Sequence, residues 1–503
     1  MLLTSPAVRL TALLAITASL CSCAIGPNYK RPETAKADQF KNANVPGAAV
    51  PDQWWVLFGD DALNDLERQV EVSNQNLAQA IAAYDQASAV VREQRSALFP
   101  SVSVNADVQH SGGGALNPGA GSGATLPAGS TLGTRSGKLY QAGASASWEL
   151  DIWGRLRRAL ENARESARAS AADLAAARLS AQGQLATAYL QLREADAERR
   201  LLDATVVAYQ RTLTITQNRY NAGVAARTDV LQAQTQLYNA QNQEAALTLQ
   251  RAQLENSIAA LIGRPASTFR VAESADWNLP APQIPAGVPS TLLERRPDIV
   301  AAEHRVAAAN ATIGEQQANY LPTLTLTGNI NFLSTVASTL FQSAHETNSV
   351  EGQAADTILD FGAKRASVAA AKAAYRQAVA AYRQTVLTAF EDVENDLAAA
   401  DILLKEYDFL RQASDAADLT EQLTLNQYKA GTVDFTTVVV AEAAALNARR
   451  SLASMRLSRQ TNAVALVTAL GGGWIATPPT TAAATATPTA SPAPAATATP
   501  ATN

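Results

Sequence analysis

Two stretches decide the fold: NRYNAGVAARTDVLQAQTQLYNAQ, which begins at Asn218, and NQYKAGTVDFTTVVVAEAAALNAR, which begins at Asn426. The second begins 208 positions after the first, and each carries one Ala-Gly pair in a sequence that otherwise favours helix. Glycine adopts positive φ at little cost and often follows the end of a helix. The two stretches therefore predict two helical hairpins, which turn at Gly223 and Gly431.

The second helix of each hairpin also needs a start. Asp229, with Gln232 three residues later, has the spacing of a capping box and predicts the N-cap of the first hairpin's second helix. Asp434 predicts the corresponding cap in the second hairpin. The offset of 208 pairs Asp229 with Thr437 and Asp434 with Ala226, so the two acids are not equivalent.

The repeat extends beyond the turns. The stretch ALFPSVSVNADV from Ala97 is echoed by NYLPTLTLTGNI from Asn319, and LDIWG from Leu150 is echoed by LDFG from Leu359. Each half therefore has the same order, namely a helix, a proline, two alternating segments and a long helical hairpin. This order predicts an internal two-fold repeat.

Two long stretches without proline, 153–262 and 362–477, predict the helices of the hairpins. A stripe of apolar and small residues at steps of three and four marks the first of them and predicts a coiled-coil seam. The stripe includes Leu156, Leu160, Ala163, Ala167, Leu174, Leu192, Leu202 and Tyr209. A helix of about 65 residues is roughly 100 Å long, so the protein is expected to bridge a distance.

Short alternating segments predict four strands, which begin at Ser101, Leu139, Thr323 and near Val350. The fourth, over 350–359, is the weakest because Asp356 interrupts its apolar face. About ten alternating residues are typical of a transmembrane β-barrel strand, although a soluble hairpin packed on helices has the same period. Four strands leave two bare edges, which lipid does not tolerate. Two, three or four copies of the chain would therefore have to share one barrel.

The N-terminus predicts export. Arg9 precedes an apolar run over 10–20, which is too short to span a bilayer and suits a signal peptide. The following Leu-Cys-Ser-Cys resembles a bacterial lipobox and predicts a lipid on Cys23. The alternative is an ordinary signal peptide whose cysteines have no role. Ala24 stands where lipoproteins retained in the inner membrane carry aspartate, so this resemblance implies the outer membrane.

Composition excludes several classes of function. The net charge of −5 gives no sign of a nucleic-acid partner. His110, His304 and His345 lie far apart and have no metal-ligand spacing, so neither a metal site nor an enzymatic site is expected. The aromatic residues at 54, 55 and 58 are expected to pack rather than to bind a ligand. No cofactor is predicted beyond the covalent lipid.

Three further motifs carry a resemblance to a known family. They are CAIGPNYKRP from Cys23, DQWWVLFGDDALNDL from Asp52, and RRPDIVAAEHRVAAANATIGEQQANYLPTLTLTG from Arg295. Together with the Ala-Gly turns, they resemble the TolC-like outer membrane efflux proteins, in particular the NodT-type lipoprotein branch, over residues 23–474. The resemblance implies a mainly α homotrimer, with four strands per chain in a twelve-stranded membrane β-barrel and long antiparallel helices forming a periplasmic tunnel.

The same resemblance implies a function. The chain would be the outer-membrane channel of a tripartite export system, driven by an inner-membrane pump through a periplasmic adaptor, and would export small molecules or drugs. Gly223, Val224, Gly431 and Thr432, at the turns, would dock the adaptor. Two alternatives stay open: a lipid-anchored structural or adaptor protein of the envelope, built as a coiled coil, and the outer channel of a protein secretion system.

The resemblance also implies a gate at the tip. The positions concerned are Asp229, Tyr428, Val433, Asp434 and Val440. Carried over residue by residue, the link between hairpins pairs Asp229 with Tyr428, while Val433 stands where the family has arginine. The family's constriction carboxylates fall on Thr437 and Val440. A carboxylate ring at those positions is therefore absent, and closure by apolar packing around Val433 and Val440 is the alternative.

These observations divide the chain into six segments. The order is a signal peptide, an anchored N-terminal segment, the first repeat, a linker, the second repeat and a Pro/Thr/Ala tail that is expected to be disordered. Their predicted bounds are 1–22, 23–75, 76–265, 266–294, 295–474 and 475–503.

Overall fold

A computed structural model describes residues 24–35, 39–41, 51–111, 137–274, 281–284 and 295–474. The predicted signal peptide, Cys23, residues 112–136 between the first two strands and the C-terminal tail lie outside the described residues. The predictions for these segments therefore rest on the sequence.

The described elements follow the predicted repeat. The first half contains α1 (Asp61–Ser73), α2 (Gln75–Ser96), β1 (Ser101–Ser111), β2 (Gly137–Glu149), α3 (Arg155–Asn221) and α4 (Arg227–Leu261). The second half contains α5 (Pro297–Ala318), β3 (Thr323–Ser334), β4 (Glu346–Ala355), α6 (Ala363–Lys429) and α7 (Phe435–Ala469). The long helices α3 and α6 each have 67 residues, and α4 and α7 each have 35. The internal two-fold repeat is confirmed.

The seam predicted along α3 is largely confirmed. Leu156, Leu160, Leu192 and Leu202 are buried, whereas Leu174 is half-buried. Small residues of the same stripe let the neighbouring helices approach closely. None of the helices in the described part of the chain combines the length and the apolar character that a membrane-spanning helix needs.

The four strands form one antiparallel sheet in the order β1-β2-β3-β4. Its register places Val104 opposite Ala144, and Ala144 opposite Ile330, so the predicted apolar faces of the first three strands coincide. The other face carries serine, threonine and asparagine because side chains alternate along each strand. Strands β1 and β4 each leave one edge unpaired in the single chain.

The predicted bounds of the fourth strand are wrong. Strand β4 spans Glu346–Ala355 and pairs with β3 from Glu346 onward. Asp356 lies after the strand and forms an ion pair with Lys364 at 2.6 Å, so it does not interrupt an apolar face. On the face of β4 that continues the apolar side of β3, the apolar side chains are Val350 and Ala354. Two such residues give too weak an alternation to locate the strand from the sequence. Pairing with β3 determines where it begins and ends.

The main core lies where the N-terminal elements meet the middle of the long helices. Trp54, Trp55 and Phe58 form a short 3-10 helix before α1 and are almost completely buried, which confirms their predicted packing role. Around them, Tyr189 of α3 and Val386 of α6 are fully buried. This core joins the two repeats at their midpoint.

Residues 24–35 form an N-terminal strap that crosses from α3 to α5. The Ile25 N–H donates to the Trp153 carbonyl at 3.1 Å, just before α3 begins. Asn310 of α5 donates to the Pro27 carbonyl at 2.8 Å, and Arg31 forms an ion pair with Glu303 at 2.8 Å. The strap therefore runs from the sheet end of α3 along α5.

Candidate functional site

The two hairpin turns have the geometry that the Ala-Gly pairs predict. Gly223 and Gly431 have φ of 76° and 78°, in the left-handed region. In the first turn the Val224 N–H donates to the Arg219 carbonyl at 2.9 Å, and in the second the Thr432 N–H donates to the Gln427 carbonyl at 3.0 Å. These bonds form Schellman motifs, which satisfy carbonyls that a helix end leaves free. Val224 and Thr432 are exposed at the turns.

The second helix of each hairpin begins differently. Asp434 caps α7 as predicted, since its Oδ1 accepts the Thr437 N–H at 2.9 Å and the Thr437 hydroxyl at 2.7 Å. These two donors hold the pKa of Asp434 below its usual value. The cap predicted at Asp229 is wrong, because α4 begins at Arg227 after Ala226 and Asp229 is its third residue. The offset of 208 explains the difference, since Ala226 occupies the place of Asp434.

An apolar cluster fills the space between the two hairpins next to the turns. It is formed by Ala233, Tyr428, Phe435 and Val438, all buried, and Val433 packs against it half-buried. The rings of Tyr428 and Phe435 lie 5.4 Å apart between their centroids. Val440, by contrast, is 64% exposed in the single chain. Within the single chain, packing at the tip therefore involves Val433 and not Val440.

The hydrogen bond predicted between Asp229 and Tyr428 is not formed. The Tyr428 hydroxyl is buried and has no hydrogen-bond partner among the described residues. Arg219 of α3 contacts Tyr428 instead, with its guanidinium carbon 4.7 Å from the ring centroid and Nη1 donating to the Tyr428 carbonyl at 3.1 Å. Arg219 was not identified from the sequence. The repeat does contain a signal, since the position equivalent to Arg219 is the uncharged Gln427.

Farther from the turns, the wall between the hairpins contains a buried acid. Glu442 of α7 accepts a hydrogen bond from the Thr212 hydroxyl at 3.1 Å. It lines a cavity of about 80 Å³ together with Tyr209, Glu421 and Arg449. The pKa of Glu442 is raised to about 7, mainly by burial; the Thr212 hydrogen bond lowers it and the nearby Glu421 carboxylate raises it. This acid therefore titrates near neutral pH.

The sequence profile of the outer membrane efflux protein family matches residues 66–264 and 288–472. The chain belongs to this family. It is 31% identical over 476 residues both to the toluene efflux pump outer membrane protein TtgC and to the antibiotic efflux pump outer membrane protein ArpC of Pseudomonas putida, which covers 92% of this chain and 95% of each relative.

The fold agrees with that assignment. The solved structure of the outer-membrane channel OprN superposes with a TM-score of 0.81 at 30% sequence identity, covering 90% of this chain and 100% of that chain. This member of the efflux family therefore has the fold of the trimeric TolC-like channels. It is the outer-membrane channel of a tripartite efflux system, with its long helices in the periplasm. The predicted family, fold class, function and location are confirmed.

Proposed function

We propose that three copies of this chain form one passive conduit, which is closed at rest at the hairpin tips. An inner-membrane pump supplies the driving force, and a periplasmic adaptor joins the pump to the tips. The conduit itself carries out no chemical reaction. The proposal rests on the four-stranded sheet, whose two edges are free in the single chain. Because the two halves of the chain repeat the same elements, a second copy can pair with such an edge as one half pairs with the other.

The contact between the two repeats supplies a template for the contact between copies. Within the chain, β2 pairs with β3, and α5 packs along α3, where Asn162 donates to the Ala308 carbonyl at 2.9 Å. The repeat makes β4 equivalent to β2, and α6 equivalent to α3. A second copy would therefore add its β1 to β4 and its α2 to α6. Three copies close this arrangement into twelve strands and twelve long helices.

Exposed apolar residues mark the surface that the next copy would cover. Ile358, Leu359 and Phe361, between β4 and α6, are 96%, 72% and 94% exposed. Their counterparts in the first repeat are half-buried, and the indole N–H of Trp153 donates to the Pro322 carbonyl at 2.9 Å. Phe361 also has φ of 49°, a left-handed conformation that costs free energy in a non-glycine residue. A neighbouring chain packed against this surface would bury the apolar side chains and offset the cost of the strained Phe361 backbone.

Native mass measurement in detergent tests the assembly. The full chain should give a trimer, and Phe361→Glu should weaken it because a charge then faces the neighbouring copy. Val72→Asp is the matched control, since Val72 is 86% exposed on α1, away from both sheet edges. Planar-bilayer recording then tests conduction. A monomer that conducts would contradict the shared conduit, and a trimer that never conducts would favour the structural protein of the envelope.

The strap supports a lipid on Cys23. Its first described residue, Ala24, lies against Gly154 at the start of α3, where a Cβ on the glycine would be 2.8 Å from the Ala24 Cα. This position is at the sheet end of the long helices, so acyl chains on the preceding residue would lie level with the membrane surface. Each buried CH₂ of such a chain contributes about 0.8 kcal/mol to anchoring. Mass spectrometry of the mature N-terminus should find acylated Cys23, and an unmodified Cys23 would contradict the anchor.

The cargo is proposed to be small molecules. TtgC and ArpC are named for efflux of toluene and of antibiotics, and this chain resembles both over nearly its whole length. Expression in cells that lack their own outer efflux channel should restore resistance to such compounds when a matching pump and adaptor are supplied. Restored export of a protein substrate without restored resistance would favour the secretion channel.

Adaptor docking is proposed at the exposed turns. Gly223 and Gly431 have no side chain, so the backbone of each turn is open to a partner. Val224 beside the first turn is 64% exposed. Val224→Asp should reduce cross-linking to the adaptor because it places a charge in the contact. Val207→Asp is the control, since Val207 is 62% exposed on α3 but lies away from the turns. Equal cross-linking in both variants would place the adaptor elsewhere.

A further inference from the structure

Arg219, in the last turn of α3, touches both turns of the tip. Its own carbonyl accepts the Val224 N–H within the first turn. Its Nη1 crosses to α6 and donates to the Tyr428 carbonyl, the same oxygen that accepts the Gly431 N–H at 3.0 Å within the second turn. One side chain therefore connects the hydrogen bonds that shape the two hairpins.

The chemistry of this contact suits an arginine. Tyr428 is 3% exposed, and its ring contacts both the guanidinium of Arg219 and the ring of Phe435. A cation over an aromatic face is held more strongly when water is excluded. The Tyr428 carbonyl stands at the C-terminal end of α6, where the helix dipole is negative. A planar guanidinium can stack on the ring and donate to the carbonyl at the same time.

We propose that Arg219 is a latch that holds the first hairpin of each chain to the second in the closed tip. Its release lets the two hairpins separate and widens the constriction. The inference rests on the proposed function, since a latch at the tip controls passage only if the tip closes a conduit.

The repeat shows that the latch acts within one chain. The offset of 208 makes Gln427 equivalent to Arg219, and Tyr220 equivalent to Tyr428. Glutamine carries no charge and cannot form the cation–aromatic contact. The corresponding junction with the next copy therefore lacks this contact. This contact therefore holds the two hairpins of one chain to each other and has no equivalent between copies.

Planar-bilayer recording of the full-length trimer tests the latch. Arg219→Gln installs the residue of the equivalent position and should raise the resting open probability about tenfold, a factor that corresponds to about 1.4 kcal/mol. Arg219→Lys should give a smaller increase, because it keeps the charge and loses the planar stack. Tyr428→Phe should have no effect, since the hydroxyl has no partner among the described residues.

Two further variants separate the latch from a general effect of charge or of packing at the tip. Arg227→Gln removes a positive charge from the exposed first residue of α4 and should leave the resting conductance unchanged. Phe435→Ala removes a ring from the tip cluster and should open the conduit by loss of packing. Native mass spectra show which variants are trimers, and Arg219→Lys decides the outcome if Arg219→Gln does not assemble.

The outcomes distinguish the two levels of the proposal. If Phe435→Ala opens the conduit and both Arg219 variants stay closed, the latch is wrong and the conduit stands. If Tyr428→Phe opens it and Arg219→Gln does not, the phenol hydroxyl carries the link, which also overturns the latch. If neither the natural chain nor any variant conducts, including Phe435→Ala, the conduit itself is refuted.

Discussion

Replacing Gly431 by alanine should loosen the second hairpin turn through backbone strain alone. Its φ of 78° is left-handed, and a Cβ built there meets no atom within 4 Å, so no clash contributes. The left-handed conformation costs a residue with a Cβ roughly 1–2 kcal/mol. Alanine also lowers the entropy of the unfolded chain, which stabilises the folded state by about 0.4–1 kcal/mol. We therefore expect a net loss of about 1 kcal/mol, which corresponds to roughly fivefold more frequent opening of the turn.

Hydrogen exchange of peptides from the end of α6 and the start of α7, read by mass spectrometry, measures this opening. Gly431→Asn should recover most of the loss, because asparagine tolerates the left-handed region. Gly223→Ala should repeat the effect in the first turn, where φ is 76° and the space is equally open. Gly328→Ala in β3 is the control, since its Cβ also meets nothing and its φ is not left-handed. Unchanged exchange in Gly431→Ala, or equal damage by asparagine, would refute the argument.

Three other contacts give predictions of their own. Because the folded chain holds a proton on Glu442 up to a pKa of about 7 while the unfolded carboxyl has about 4.5, stability should fall as pH rises between these values. Glu442→Gln should flatten that part of a thermal-unfolding pH profile, and an unchanged slope would assign it to another group. Asp434→Ala should speed hydrogen exchange in the first turn of α7, whereas Asp229→Ala should not do so in α4, and equal effects would show that Asp229 also caps. Gly314→Val should displace the strap, because a Cβ there already lies 2.8 Å from the Ile25 carbonyl oxygen, and faster proteolysis of residues 24–35 would report it.

Local patterns predicted the elements correctly where the signal was repeated or strong. Gly223 and Gly431 identified the turns because few other residues adopt positive φ readily. The alternation in β1, β2 and β3 identified their apolar faces, which the register then brought to one side. Strand β4 was misplaced because its polar composition hides the alternation, and its bounds depend on pairing with β3.

Within the candidate site, prediction failed where a residue's role depends on distant contacts. Asp229 and Asp434 both suit an N-cap by type; the offset of 208 shows that they are not equivalent, and the observed start of each helix shows that only Asp434 is a cap. The Asp229–Tyr428 link came from resemblance, and the side chains that surround Tyr428 in this chain are different. Val440 also came from resemblance, as a position where the family has a constriction carboxylate, and in the single chain only Val433 packs in the cluster.

The sequence by itself determined the duplicated plan of this protein: two long helical hairpins, their turns, and the faces of three strands. Those features follow from periodicity and backbone preference, which neighbouring residues express without the rest of the chain. Only the tertiary structure decided that Arg219 meets Tyr428 and that Glu442 is buried beside Thr212. These partners are 209 and 230 positions apart, and they meet because α3 packs against the second hairpin. Such contacts depend on how complete helices pack together, which no local pattern encodes.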